Sequence, residues 1–305
     1  MDILYIIVGI ILLYVGGEWV LTGALSAAEK LNIPKVFSAV VLVGFGTSAP
    51  ELFVGVNAMV AGRADISLGN VVGSNVANIL LISGLGMILA PMMHKIKYIG
   101  LEIIFFIGSS FLLVALMFMY GGIYDEAPLV MLLTLIIYFV IAARRQGSDE
   151  MNEVIVKMSA MRMIGYLLSG FVLLLVGAES LIIGAVELAQ YWGISQAVIG
   201  LSIIAVGTSL PELATTIAAA RRNEGEMIIG SVLGSNIFNT LLILGVVTWI
   251  DDLDLAFETF GFDILMGSIF SIVFVGLMYM RKLTRPVGIV FLIFYSFYIL
   301  TWTMR

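Results

Sequence analysis

The chain of 305 residues has no cysteine, a single histidine and only 12% charged residues. Lack of cysteine excludes thiolate metal centres and disulfides, and leaves the redox compartment unspecified. The one histidine, His94, stands beside Lys95 and Lys97 in a polar connection, which excludes an imidazole-rich zinc site and a buried Ser-His-Asp triad. Neither an aspartate-rich diphosphate motif nor a Gly-x-Ser-x-Gly elbow occurs, so an intramembrane enzyme is not the reading. Soluble domains carry about 25% charged residues. Here 61% of residues are hydrophobic and the mean hydropathy is +1.12, which indicates a polytopic, all-α membrane protein. The first apolar run follows an acid rather than a basic region and is long enough to span, so it reads as a first helix and not as a cleaved signal.

Windows of about 20 apolar residues divide the chain into ten expected spans: 3–28, 34–61, 71–92, 98–120, 127–144, 163–191, 196–220, 227–250, 260–280 and 287–302. The polar stretch 145–161 is too short for a domain. It reads as a linker between a first repeat, 1–144, and a second, 162–305.

The two halves repeat residue by residue. Gly16-Gly17-Glu18 matches Gly177-Ala178-Glu179, and Glu51 matches Glu212. Gly73-Ser74-Asn75 matches Gly234-Ser235-Asn236, Asn78 matches Asn239, and Glu102 matches Asp263. Every pair is offset by 161 positions, as an ungapped duplication requires. Five spans per repeat is an odd number, so the second copy is expected to enter the membrane inverted. Alternate connections on one side hold thirteen of the fifteen basic residues, leaving Arg63 and Arg305 for the other. By the positive-inside rule both termini are extracytoplasmic and the 145–161 linker is cytoplasmic. Together these expectations make ten transmembrane helices in two inverted five-helix repeats.

The centre of each repeat is a polar hexad in an apolar run: Gly46-Thr47-Ser48-Ala49-Pro50-Glu51 and Gly207-Thr208-Ser209-Leu210-Pro211-Glu212. A carboxylate at hydrocarbon depth is costly and marks function by default. Proline removes a backbone donor and leaves the carbonyl four residues earlier unpaired. Helical spacing puts Thr47, Ser48 and Glu51 on one face. A second polar turn follows each hexad, with Ser74 and Asn78 in one repeat and Ser235 and Asn239 in the other sharing a face. Asn75 and Asn236 point elsewhere, to helix ends or neighbouring backbone. Gly69, Gly73, Gly230 and Gly234 are expected to allow close helix approach. Brought together, the four turns offer two carboxylates, two amide oxygens, hydroxyls and freed carbonyls, which are hard ligands suited to Ca²⁺ and Na⁺. The plainer reading, that Gly, Ser and Thr merely pack helices and each proline merely kinks one, does not account for a glutamate at the same place in both copies.

These hexads and Gly-Ser-Asn-x-x-Asn turns resemble the repeats of the cation/Ca²⁺ exchanger superfamily, closest to its prokaryotic Na⁺/Ca²⁺ exchangers, over nearly the whole chain. The resemblance implies Na⁺/Ca²⁺ antiport by alternating access, with no cofactor and no nucleic-acid partner. Glu51 and Glu212 would be central ligands for both ions, and Asn78 and Asn239 would complete the centre. Thr47, Thr208, Gly44 and Ala205 would contribute backbone carbonyls. Ser48, Ser74, Ser209 and Ser235 would serve flanking Na⁺ sites. Helices 1 and 6 would slide over the other eight. The expected setting is the plasma (inner) membrane, with the protein working as a monomer.

This chain has Asn239 where some members, including the K⁺-dependent branch, have aspartate, which speaks against K⁺ co-transport. It also lacks the Gly-Asn-x-x-Glu hexad typical of Ca²⁺/H⁺ exchangers, which favours Na⁺ over H⁺ as driver. Ca²⁺/H⁺ exchange is the second reading, and a cation channel, which would want a ring-like filter, is a third. Glu18 and Glu179 carry either a role in the sliding pair or in cation access, or a hydrogen bond to a polar neighbour. Glu102 and Asp263 read as helix-start acids that meet the positive end of a helix. Acids expected on the outer face (Asp125, Glu126, Asp251, Asp252, Asp254 and Glu258) either gather cations or are simply solvated.

Overall fold

A computed structural model describes residues 2–92, 99–124, 126–144, 158–191, 207–254 and 257–304. Among these residues the fold is helical apart from one two-residue strand pair. In chain order the helices are α1 (Asp2–Leu31), α2 (Lys35–Thr47), α3 (Ala49–Val60), α4 (Ala64–Leu89), α5 (Gly100–Tyr120) and α6 (Ala127–Ala143), then α7 (Ala160–Tyr191), α8 (Leu210–Arg221), α9 (Gly225–Val247), α10 (Phe257–Tyr279) and α11 (Arg285–Met304). Six of them are long and apolar enough to cross a membrane. The pair α2 and α3, bent by 42° at their junction, is long and apolar enough when taken together, and α6 and α11 are shorter apolar helices. The protein is therefore a multi-pass membrane protein. Of the expected span 196–220, residues 192–206 lie outside the described set, and α8 represents the remainder.

The bend has a local cause. Ser48 takes φ −81° and ψ 5°, outside the helical range, and Pro50 sits in the first turn of α3 where its missing N–H is harmless. Ser209 repeats this conformation at φ −89° and ψ 8°, with Pro211 opening α8. α3 and α8 begin and end 161 positions apart, as do the starts of α4 and α9. Helix α4 begins at Ala64, well before the expected 71. Its early polar residues escape a hydropathy window because Ser67 and Asn70 face neighbouring helices instead of lipid. Gly121 ends α5 in a left-handed conformation at φ 71°, donating its N–H to the Met117 carbonyl at 3.1 Å.

Helices α4 and α9 form the centre, with 72% and 94% of their most apolar windows buried against 28% for α1. Gly230 and Gly234 make the tight contact of α9 with α2. A Cβ at either would come within 2.6 Å of the Val36 carbonyl or 2.7 Å of the Val40 backbone. Gly73 has no such role, since a Cβ there would meet nothing within 4 Å. Helices α1 and α7 run antiparallel: Gly9 faces 177–181, Gly16 faces 170–174, and Gly23 faces Leu167. The contact of Gly9 with Gly177 has its counterpart in that of Gly170 with Gly16, each pair of equivalents trading places. Ser110 of α5 and Ser271 of α10, also equivalents, meet directly at 3.3 Å.

The connections group at two ends. At one, Lys35 pairs with Glu224 at 2.8 Å, Met92 N–H donates to the Leu283 carbonyl at 2.8 Å, and Arg285 Nε donates to the Ile88 carbonyl at 3.1 Å. At the other, strand β1 (Gly122–Ile123) pairs antiparallel with β2 (Leu253–Asp254). Large apolar side chains exposed along α1, α6 and α11, among them Ile7, Ile137 and Ile293, form the surface that lipid would cover.

Candidate ion-binding site

Three helices widen by one residue per turn beside the polar motifs, over Ala39–Gly44, Asn78–Ile82 and Asn239–Ile243. Such π turns disturb the regular backbone ladder and are common at functional sites. The last two begin at Asn78 and Asn239, again 161 positions apart. Nothing in side-chain periodicity announces them.

The break at Ser48 and the widened turns bring the polar groups into one buried cluster. Glu51 is 1% and Glu212 2% exposed, and Thr47, Ser48, Ser74, Asn78, Ser209, Ser235 and Asn239 are also buried. Ser74 Oγ donates to Glu51 Oε1 at 3.4 Å, and Ser235 Oγ reaches Glu212 Oε1 at the same 3.4 Å. The Ser235 hydroxyl also lies 3.4 Å from the Gly44 carbonyl, so these are long, weak bonds. Ser48 Oγ approaches Glu212 Oε1 at 3.4 Å. Thr47 likewise faces Glu212, and Thr208 faces Glu51. Ser48 thus donates to the glutamate of the opposite repeat, with Thr47 beside it, where uninterrupted helical spacing placed both beside Glu51. The bend at Ser48 makes that exchange.

The cluster is short of partners. Glu51 Oε2, Glu212 Oε2, Thr208 Oγ1, Ser209 Oγ and both amide atoms of Asn78 and Asn239 are buried with no hydrogen bond. Among the described residues no lysine or arginine pairs with either glutamate. Buried carboxylates left so cost several kcal/mol each. Their chemistry asks for a cation. The oxygens present are all hard donors, and no third His, Cys, Asp or Glu joins them among the described residues. Thr47 Oγ1 donates to the Val43 carbonyl at 2.9 Å. Of the expected ligands, Ala205 lies outside the described residues.

Two contributions were not foreseen in the sequence. Asn70 Nδ2 donates to the Glu51 carbonyl at 3.1 Å, holding the turn that carries the carboxylate. Phe171 of α7 lies over Gly46, where a Cβ would fall 2.0 Å from the ring, and Ile182 covers Gly207 in the same way. The sequence offered a signal for this cover in Gly46 and Gly207, which head both hexads.

The remaining acids separate. Glu18 of α1 pairs with Arg222, its Oε2 accepting from Nε at 3.0 Å and from Nη2, and lies 3.8 Å from Arg221. Arg221 stacks 4.8 Å above the Tyr14 ring. Glu179 is exposed. Glu102 lies in the first turn of α5, as expected of a helix-start acid. Asp263 does not: α10 starts at Phe257, which leaves Asp263 in its second turn and fully buried. Asp251, Asp252, Asp254 and Glu126 are exposed, whereas Asp125 and the side chain of Glu258 lie outside the described set. Partial burial, then Asp254 and Asp252, hold the Tyr124 hydroxyl above its ordinary pKa.

A family model described as sodium/calcium exchanger protein matches residues 1–144 and 162–304. The chain is 31% identical over 252 residues to the inner membrane protein YrbG of Escherichia coli, covering 79% of this chain and 77% of that one. It is 29% identical over 285 residues to the sodium/calcium exchanger MaX1 of Methanosarcina acetivorans, covering 80% and 81%. Its structure superposes on that of the sodium-calcium exchanger NCX_Mj with a TM-score of 0.87, at 30% identity and 98% coverage of both chains.

Proposed function

Because the chain belongs to the sodium/calcium exchanger protein family, we propose that it is a secondary antiporter that moves Ca²⁺ against Na⁺ by alternating access. The observation that carries this reading is the pair Glu51 and Glu212. Both are buried, each has one carboxylate oxygen unpaired, and no basic residue offsets either among the described residues. Two negative charges balance one Ca²⁺, or two Na⁺, so the two ions compete for one centre. Asn78 and Asn239 supply amide oxygens, Ser48, Ser74, Ser209 and Ser235 hydroxyls, and Thr47, Thr208, Gly44 and Ala205 backbone carbonyls. Mutual exclusion at a shared centre is what couples the fluxes.

The wider architecture in this proposal is ten spans in two inverted repeats, 1–144 and 162–305, joined by a cytoplasmic linker at 145–161. Support comes from the antiparallel crossing of α1 and α7 through equivalent glycines and from the direct meeting of Ser110 with Ser271. The protein would sit in the plasma (inner) membrane with both termini outside and act as a monomer. Phe171 and Ile182 on α7 cover the hexads, consistent with α1 and α7 as the moving pair. The test is ⁴⁵Ca²⁺ uptake into proteoliposomes under an outward Na⁺ gradient, then under a pH gradient alone. Uptake driven by Na⁺ is expected, and uptake that follows pH alone would assign the protein to Ca²⁺/H⁺ exchange.

A further inference from the structure

The Gly-Ser-Asn turns have a second polar face. Ser74 and Ser235 approach the glutamates, whereas Asn75 and Asn236 line a separate cavity of about 20 Å³ between α4, α5, α9 and α10, together with Thr240, Ser110, Ser271 and Asp263. That is room for one ion or one water molecule.

The donors in this lining are largely engaged. Ser110, Ser268 and Ser271 give their hydroxyl protons to the carbonyls of Phe106, Ile264 and Gly267 at 3.1, 2.9 and 2.8 Å. Asn236 Nδ2 donates to the Val232 carbonyl at 2.8 Å, and Asn75 Nδ2 to Thr240 Oγ1 at 3.1 Å. What faces the cavity is then rich in lone pairs. Asn75 Oδ1 is buried without a hydrogen bond, and Asp263, with no exposure at all, adds a carboxylate. An acceptor-lined space with one carboxylate, inside a membrane bundle, is chemically complementary to a single positive charge.

We propose that this cavity is a Na⁺ site, separate from the glutamate pair. Ca²⁺ fits poorly, since it takes six to eight oxygens and would keep a net positive charge beside one carboxylate. An ion here would touch groups from both halves of the chain, because Ser110 and Ser271 meet at the cavity wall. It would therefore fasten α4 and α5 to α9 and α10 as a fixed scaffold, without travelling.

The inference does not rest on the glutamate pair, and its test removes that pair. The doubly substituted protein, Glu51→Gln with Glu212→Gln, is purified whole, and its thermal unfolding is followed in NaCl and in choline chloride. A ligand that binds only the folded state raises Tm. The expected result is a higher Tm in NaCl, abolished when Asp263→Asn is added and reduced by Asn75→Leu. If Asp263→Asn does not fold, Ser271→Ala takes its place with the same expected loss. Equal Tm values in the two salts, or a Na⁺ effect that survives these substitutions, would overturn the proposal and leave the cavity to water.

Discussion

At the scale of single residues, the glutamates make the strongest demand. Removing one partner of a buried charge-balanced set costs about 3–5 kcal/mol, which is at least about a hundredfold in affinity. Glu51→Gln and Glu212→Gln are each expected to abolish Ca²⁺ uptake while the protein remains folded. Wild-type uptake by either variant, measured in the same liposomes, would remove that residue from the site. In the proposed site Asn239 leaves the charge of the centre to the two glutamates. Its amide offers one oxygen and no charge, so the pocket holds about −2 with both glutamates ionised. A third Na⁺ would leave an excess positive charge, costly unless spread over separated sites. Ca²⁺ flux is therefore expected to be unaffected when K⁺ is replaced by choline, and Asn239→Asp to change the apparent Na⁺ and Ca²⁺ affinities. A strict K⁺ requirement in the wild type would refute this account of Asn239. The glutamates stand out in the sequence because both hexads repeat them, and Asn239 because the second Gly-Ser-Asn turn repeats Asn78. Their partners do not: the exchange of Thr47 and Ser48 to Glu212 depends on a bend at Ser48 and on a contact between positions 164 apart.

At the scale of helices, one asymmetry stands out. The Glu18 pair with Arg222 ties α1 to the end of α8, and that partner lies 204 positions away, beyond any sequence pattern. By the 161 offset, the counterparts of Arg221 and Arg222 are Val60 and Ala61, and the counterpart Glu179 is exposed. The two repeats are thus fastened unequally: among the described residues α1 carries an ion pair that α7 lacks at the equivalent place. If α1 slides, the pair breaks and reforms in each cycle. Partly exposed pairs are worth about 0.2–1 kcal/mol, so its removal alters a barrier by no more than about fivefold. Glu18→Gln and Arg222→Gln are expected to raise the exchange rate modestly, and the double variant to match either single one. Exchange abolished by Glu18→Gln alone would instead place this carboxylate on the ion path. Helix boundaries show what hydropathy misses. Ser67 and Asn70 lie in α4 before the apolar window begins, because a bundle interior hides polar groups that lipid would reject, while Asp65 in the first turn stays exposed beside Arg63. The π turns at Asn78 and Asn239 left no trace in residue type, since widening a turn changes the backbone ladder and not the composition.

At the scale of the whole molecule, the 161-residue offset was plain in the sequence, and the structure repeats it in paired elements, from α3 with α8 to the Ser110–Ser271 contact. Orientation in the bilayer is a separate question that rests on charge. The end where Lys35 meets Glu224 also gathers Arg221, Arg222, Lys282 and Arg285, whereas the end with the β1–β2 pair presents Glu126, Asp251, Asp252 and Asp254. Translocation disfavours lysine and arginine in short loops, while acids weigh little. The basic end is therefore expected to face the cytoplasm, and the acidic end to meet incoming cations from outside. A chain with no native cysteine is suited to the measurement, because any thiol introduced is the only one to label. Lys282→Cys and Asp252→Cys are both at exposed positions. Asp252→Cys is expected to react with a membrane-impermeant maleimide in intact cells, and Lys282→Cys only after permeabilisation. The reverse pattern would invert the topology and with it the side from which α1 is latched. Labelling of both positions in intact cells would mean that the two ends do not face opposite compartments, and would undo the inverted arrangement itself.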